Sequence, residues 1–180
     1  MKRYISLFLM SILLFVLQTT LFHRFSLGNI EPNLILILTA ISGFMYGRKM
    51  GMFTGVICGL MMDLMYSNVI GLSILLFAII GYINGMVTKF YYKEEVFVPL
   101  ISIGVSDLAY GVLFYITSYL LRGRLDFIHY FMEIIVPEAI YSIFWGFFIS
   151  RFIHWLDGRL YPVHEKKPYT SVSSKPTLLS

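Results

Sequence analysis

The stretch PNLILILTAISGFMYGRKMGMFTGVICGLMMDLMY, residues 32–66, decides the fold. Within it Gly51, Gly55 and Gly59 recur every fourth residue of an apolar run and lead through Leu60 to Asp63. After a short turn, Gly71, Gly81 and Gly85 punctuate the next apolar run, which reaches Val87. Glycine costs about 1 kcal/mol in a helix interior relative to alanine. A membrane helix carries that cost where a second helix approaches its backbone closely. Steps of four advance only about 40° around a helix, so the three glycines form one narrow groove. A carboxylate one turn beyond them is expensive in lipid and must face protein or water. The pattern is that of a helix-packing surface, with its companion helix in the same chain or in a partner.

The rest of the chain fits the same pattern. Its 180 residues are 58% hydrophobic and 13% charged, with a mean hydropathy of +0.77. A soluble domain of this size has no use for so much apolar surface, which makes the class an integral membrane protein. Cys58 is the single cysteine, so no intrachain disulfide forms. Tyr4–Phe22 follows Lys2 and Arg3 like a secretory signal, but the run is too long and no small-x-small site follows it. It is expected to be an uncleaved first spanning helix.

Further apolar runs cover Leu34–Tyr46, Met50–Tyr66, Gly71–Val87, Val96–Leu121 and about Ile134–Phe152. A span takes about 20 residues, with about 17 at the lower end, so the thirteen-residue second run is short. A re-entrant hairpin of the second and third runs would strand Arg48 and Lys49 at membrane depth. Six spans with both ends inside place eleven of the fourteen Lys and Arg residues on the inner side. Only Arg24, Arg122 and Arg124 then fall outside. The expected fold class is therefore an all-α integral membrane protein of six transmembrane helices, N-in and C-in, over residues 1–156. Residues 157–180, with Pro162, Pro168, Pro176 and a Thr/Ser-rich end, are expected to form a disordered cytoplasmic tail. Arg122–Glu133 mixes charge with Phe127, Tyr130 and Phe131 and suits an outer interfacial segment.

Four acids invite chemistry. Asp63 sits three residues from the outer end of its run, as a buried contact for a partner, ion or substrate, or as a carboxylate reaching the interface beside Tyr66 and Ser67. Asp107 lies near the middle of its run, with Ser102, Ser106 and Tyr110 about one turn away. It is either a polar pocket or proton site, or a structural carboxylate bonded to those hydroxyls. Glu133 and Glu138 bracket Pro137 at the outer start of the last helix, where capping and a complement to the macrodipole compete with a binding role. His23, His129, His154 and His164 are too scattered for a metal site, and Trp145 and Trp155 are typical membrane anchors. Phosphate loop, zinc-binding His pair and nucleophile elbow are all missing, so neither catalysis nor a cofactor is expected.

Pro32-Asn33-Leu34, Gly47-Arg48-Lys49, the Gly51–Asp63 ladder, Gly71-Leu72, Gly81-Tyr82 and Pro137-x3-Tyr141 together resemble the bacterial rod shape-determining protein MreD family. The motif-bearing part covers residues 32–87, and size and topology extend the resemblance over nearly the whole chain. It implies an inner-membrane scaffold of the cell-elongation machinery that binds the bitopic protein MreC. It further implies association with MreB, RodA and the transpeptidase of lateral peptidoglycan synthesis, and a fold similar to the substrate-binding subunits of energy-coupling-factor transporters. The resemblance carries no catalytic residues, and it attaches partner binding to the Gly51–Asp63 helix. The alternative, a vitamin-binding subunit of such a transporter, expects alanine-x3-alanine on the first helix, which here has no alanine. A third reading, an intramembrane enzyme using Asp107 with Glu133 or Glu138, has no supporting motif.

Overall fold

The computed structural model describes residues 2–22, 31–66, 70–87, 97–118 and 126–160, and among them regular structure is entirely helical. Helix α1 spans Lys2–Leu17 and continues as a π-helical turn through Gln18–Phe22. Helices α2 (Leu34–Tyr46), α3 (Arg48–Tyr66), α4 (Leu72–Val87) and α5 (Phe97–Ser118) follow. The last rod comprises a short α6 (Phe127–Tyr130), a π-helical segment Phe131–Ile135 and α7 (Val136–Leu160). The basic loop residues Arg24, Lys89, Lys93, Arg122 and Arg124, and the tail beyond Leu160, lie outside the described residues.

Helix α2 is the hub. Every residue from Leu34 to Phe44 is buried, on all sides of the helix. It touches α1, α3, α4, α5 and α7. Around it the outer helices contact one another in the order α1–α3–α4–α5–α7. This enclosure accounts for a run of thirteen residues, about 20 Å at 1.5 Å per residue and short of a hydrocarbon core about 30 Å thick. A helix surrounded by protein does not have to match the bilayer itself.

Both ends of α2 are closed locally. Asn33 caps the start, its Oδ1 accepting the Leu36 N–H at 3.2 Å, a bond of the kind that contributes about 1 kcal/mol. The Ile35 N–H donates to Gln18 Oε1 at 3.3 Å, and the Asn33 N–H donates to Ser142 Oγ at 3.1 Å. At the other end the Gly47 N–H donates to the Gly43 carbonyl at 2.8 Å. Gly47 adopts φ 88°, a left-handed conformation that reverses the chain into α3 within one residue.

The apolar side chains that face outward lie on the ring. Ile5, Leu9 and Leu13 are exposed on α1, Leu64 and Met65 on α3, Ile101 and Val105 on α5, and Phe144, Phe148 and Phe152 on α7. None belongs to α2. Stretches Arg3–Thr20, Phe97–Ser118 and Phe127–Leu156 are long and apolar enough to cross a membrane, whereas α2 and α4 are apolar but shorter. An apolar exterior of this extent is a lipid-facing surface.

Candidate functional site

The glycine ladder forms the α3–α4 seam. A Cβ placed on Gly59 would lie 2.5 Å from the Ile74 Cα and 2.6 Å from the Ser73 carbonyl oxygen. One on Gly55 would strike the backbone of Phe77, and one on Gly51 would strike Gly81 and come within 2.5 Å of the Gly43 Cα. Gly43, Gly51 and Gly81 thus bring α2, α3 and α4 together at one point, and Gly85 receives the backbone of Arg48. Both companion helices lie within this chain. Close backbone approach multiplies dispersion contacts, the main source of helix association in lipid.

Asp63 ends the ladder as a cap for the neighbouring helix. It is 1% exposed. Its Oδ2 accepts the Gly71 N–H at 2.7 Å and the Ile74 N–H at 3.3 Å, and its Oδ1 accepts the Ser73 N–H at 3.1 Å. Four amide hydrogens are orphaned at any helix start, and here one carboxylate serves three N–H groups at the positive end of the α4 dipole. Gly71 reaches that geometry with φ 112°. The acid read from the sequence either as a buried contact for a partner, ion or substrate or as an interfacial carboxylate beside Tyr66 and Ser67 is buried here against the start of α4.

A second polar node was not expected from the sequence. Asn84 on α4 donates through Nδ2 to Ser106 Oγ at 2.8 Å and to the Ile80 carbonyl at 2.9 Å, and its Oδ1 accepts from Ser102 Oγ. Ser102 and Ser106 therefore serve Asn84, which corrects the expectation that they bond Asp107. The available signal was spacing: Asn84 lies three residues from Gly81 on the buried face of α4, and the two serines are one turn apart on α5.

Asp107 and Glu138 form the third node. Asp107 is 3% exposed, and neither carboxylate oxygen has a hydrogen bond of standard geometry. Ser142 lies beside it, and Glu138 is within electrostatic reach of both Asp107 and Glu31. Glu138 lines a cavity of about 300 Å³ together with Glu31, Asn33, Tyr110, Phe114 and Tyr130. Glu133 is elsewhere: it is exposed and pairs with His129 one turn earlier at 2.9 Å. The two glutamates that the sequence groups around Pro137 thus have different surroundings. Pro137 also does not open the rod, because the π-helical segment continues α6 into α7 and precedes the proline. A proline lacks the N–H of a regular ladder, and a π-type offset is one way a helix absorbs that loss.

Among the described residues, no three His, Cys, Asp or Glu side chains are grouped to hold a metal ion. Cys58 is buried within the core.

An enclosed central helix, a glycine-packed seam and a lipid-facing apolar ring define a helical membrane protein built around interhelical packing. Over residues 1–156 the chain matches the family model of the rod shape-determining protein MreD. The chain belongs to that family, a shape-determining membrane family and not a known enzyme family. No curated protein and no solved structure matches the chain.

Proposed function

We propose that the chain is a non-enzymatic inner-membrane scaffold of the cell-elongation machinery. In this reading it binds an MreC-like bitopic protein and organises lateral peptidoglycan synthesis with MreB, RodA and a transpeptidase, so maintaining rod shape. The observation that carries the reading is the family match over residues 1–156. Six spans with both ends cytoplasmic remain the proposed topology, supported by the eleven-to-three distribution of Lys and Arg.

The proposed partner contact is the Gly51–Asp63 helix. Its glycine face packs on α4, so the contact uses the neighbouring exposed stripe of α3, one residue on and about 100° around the helix. There Met52, Val56, Leu60 and Leu64 recur at four-residue intervals and are exposed. A stripe of that spacing presents one continuous strip to a second spanning helix.

The test is depletion of the protein in a rod-shaped host together with affinity purification of a tagged copy. Rounded cells and recovery of a single-span partner are expected. Cells that stay rod-shaped, with no such partner recovered, contradict the reading.

A further inference from the structure

The C-terminal half of α7 carries a groove on its outer side, away from the glycine seam and the acidic nodes. Its volume is about 680 Å³, within the range of ligand sites, about 300–1,000 Å³. Phe147, Phe148, Phe152 and Trp155 wall it, all of them exposed, with Arg151 and His154 among them. Among the described residues no acid lines it. We propose that this groove binds an anionic phospholipid, with the headgroup phosphate on Arg151 and an acyl chain along Phe148 and Phe152. The site is separate from the partner stripe on α3, and it does not rest on the scaffold reading.

The level of Arg151 along the bundle carries the inference. Helix α7 runs antiparallel to α5, Ile135 meeting Gly111 and Gly146 meeting Ile103. Ser102, beside Ile103, bonds Asn84, and the next residue, Gly85, receives the backbone of Arg48. Beyond Gly146, α7 therefore runs toward the end of the bundle at which α3 begins and Arg3 lies over Tyr46. Arg151 is five residues short of Leu156, where the membrane-length apolar stretch Phe127–Leu156 ends. At 1.5 Å per residue it sits about 7.5 Å inside that stretch. An exposed guanidinium at this depth, among exposed phenylalanines, is costly unless an anion meets it.

Nothing in the described chain supplies that anion. Arg3, Arg48 and Arg159 rest on the rings of Tyr46, Tyr82 and Trp155, at 5.6, 5.7 and 4.7 Å from the centroids. Among the described residues Arg151 makes no ion pair. A long basic side chain just inside the apolar layer reaches the level of the lipid phosphates, and its planar fork matches phosphate oxygens in a bidentate pair. Arg159 lies two turns further along the same stripe, so the surface favours a net negative headgroup over a zwitterionic one. The wall is ordered by stacking: Phe152 and Trp155 lie 6.1 Å apart between ring centroids, and Arg159 covers Trp155. A partner's spanning helix would have to bring its own carboxylate to the same depth, at a comparable cost.

Native mass spectrometry of the full chain in micelles tests the site, with equimolar phosphatidylglycerol and phosphatidylcholine of identical chains. The wild type is expected to retain phosphatidylglycerol about five-fold over phosphatidylcholine. Arg151→Gln is expected to bring the ratio to parity. Lys49→Gln, which removes the same charge at the same end of the bundle, is expected to leave it unchanged. The proposal is overturned if the wild type shows no preference, if Arg151→Gln keeps it, or if Lys49→Gln removes it equally. No lipid preference, together with a protein adduct from a photoreactive side chain at Phe148, would give the groove to a partner helix and likewise overturn it. Should Arg151→Gln fail to fold, tryptophan fluorescence of the wild type in nanodiscs decides, since Trp155 lines the groove. Stronger quenching by chain-brominated phosphatidylglycerol than by brominated phosphatidylcholine at the same mole fraction supports the site, and equal quenching overturns it.

Discussion

The carboxylate of Asp63 accepts the backbone N–H of Gly71 at 2.7 Å, tying the end of α3 to the start of α4. With the Ser73 and Ile74 amides on the same carboxylate, this acid is a structural clasp between two helices that also share the glycine seam. Its removal is expected to act on stability. Bonds to a charged acceptor contribute about 1.5–3 kcal/mol each and do not add fully, so Asp63→Ala is expected to cost about 2–4 kcal/mol. Asp63→Asn keeps one acceptor oxygen and should cost about half as much. Thermal unfolding of the purified variants measures both. An unchanged Tm in Asp63→Ala, with partner binding lost, would return the acid to a direct contact role.

The glycine seam predicts a ranking among glycine variants. A Cβ on Gly51 or Gly55 meets backbone atoms of α4, whereas one on Gly71 meets open space and suffers only from its φ of 112°. Overpacking of a close seam costs about 1–3 kcal/mol or more, against about 1 kcal/mol for the strain at a left-handed residue. Gly51→Ala and Gly55→Ala are therefore expected to lower Tm more than Gly71→Ala, and Gly55→Leu is expected to prevent accumulation of folded protein. Equal, small shifts at all three positions would contradict the seam.

Asp107 carries the opposite expectation. A buried polar group without a hydrogen bond costs about 1–3 kcal/mol, and neither of its oxygens has a hydrogen bond of standard geometry, with Ser142 its nearest polar neighbour. In nanodiscs, Asp107→Asn is expected to hold or raise stability by about 1 kcal/mol, because the amide has no charge to desolvate. A fall of several degrees in Tm would show that the carboxylate is bonded in the native bundle.

The Asn84 node is expected to be a modest stabiliser. Interhelical hydrogen bonds in membranes contribute on average about 0.6 kcal/mol. A double-mutant cycle of Asn84→Ala with Ser102→Ala should give a coupling energy of about that size. Zero coupling would mean that the two side chains do not interact across α4 and α5.

The sequence carried the seam almost completely, because glycines at four-residue steps are a local signal of close helix approach. It also carried the apolar class of each run. It did not carry the place of α2, since thirteen apolar residues have the same pattern whether lipid or protein surrounds them. Asp63 left two readings open for a related reason: three residues from the end of its run, it faces the orphan amides of α4, a partner that only the turn geometry reveals. Asp107 and Glu138 are 31 positions apart on different helices, so no spacing rule joins them. Pro137 resembled a helix start, and only the π-helical segment before it shows the rod running through.

The glycine face of α3 is internal, and the proposed partner contact is the exposed stripe of Met52, Val56, Leu60 and Leu64 beside it. Site-specific photo-crosslinking in rod-shaped cells tests it most directly, with the reactive side chain placed at Val56, Leu60 or Leu64. A covalent adduct with a single-span membrane protein is expected from at least two of these positions, in cells that keep their shape. Rod-shaped cells with no adduct from any of the three would contradict it.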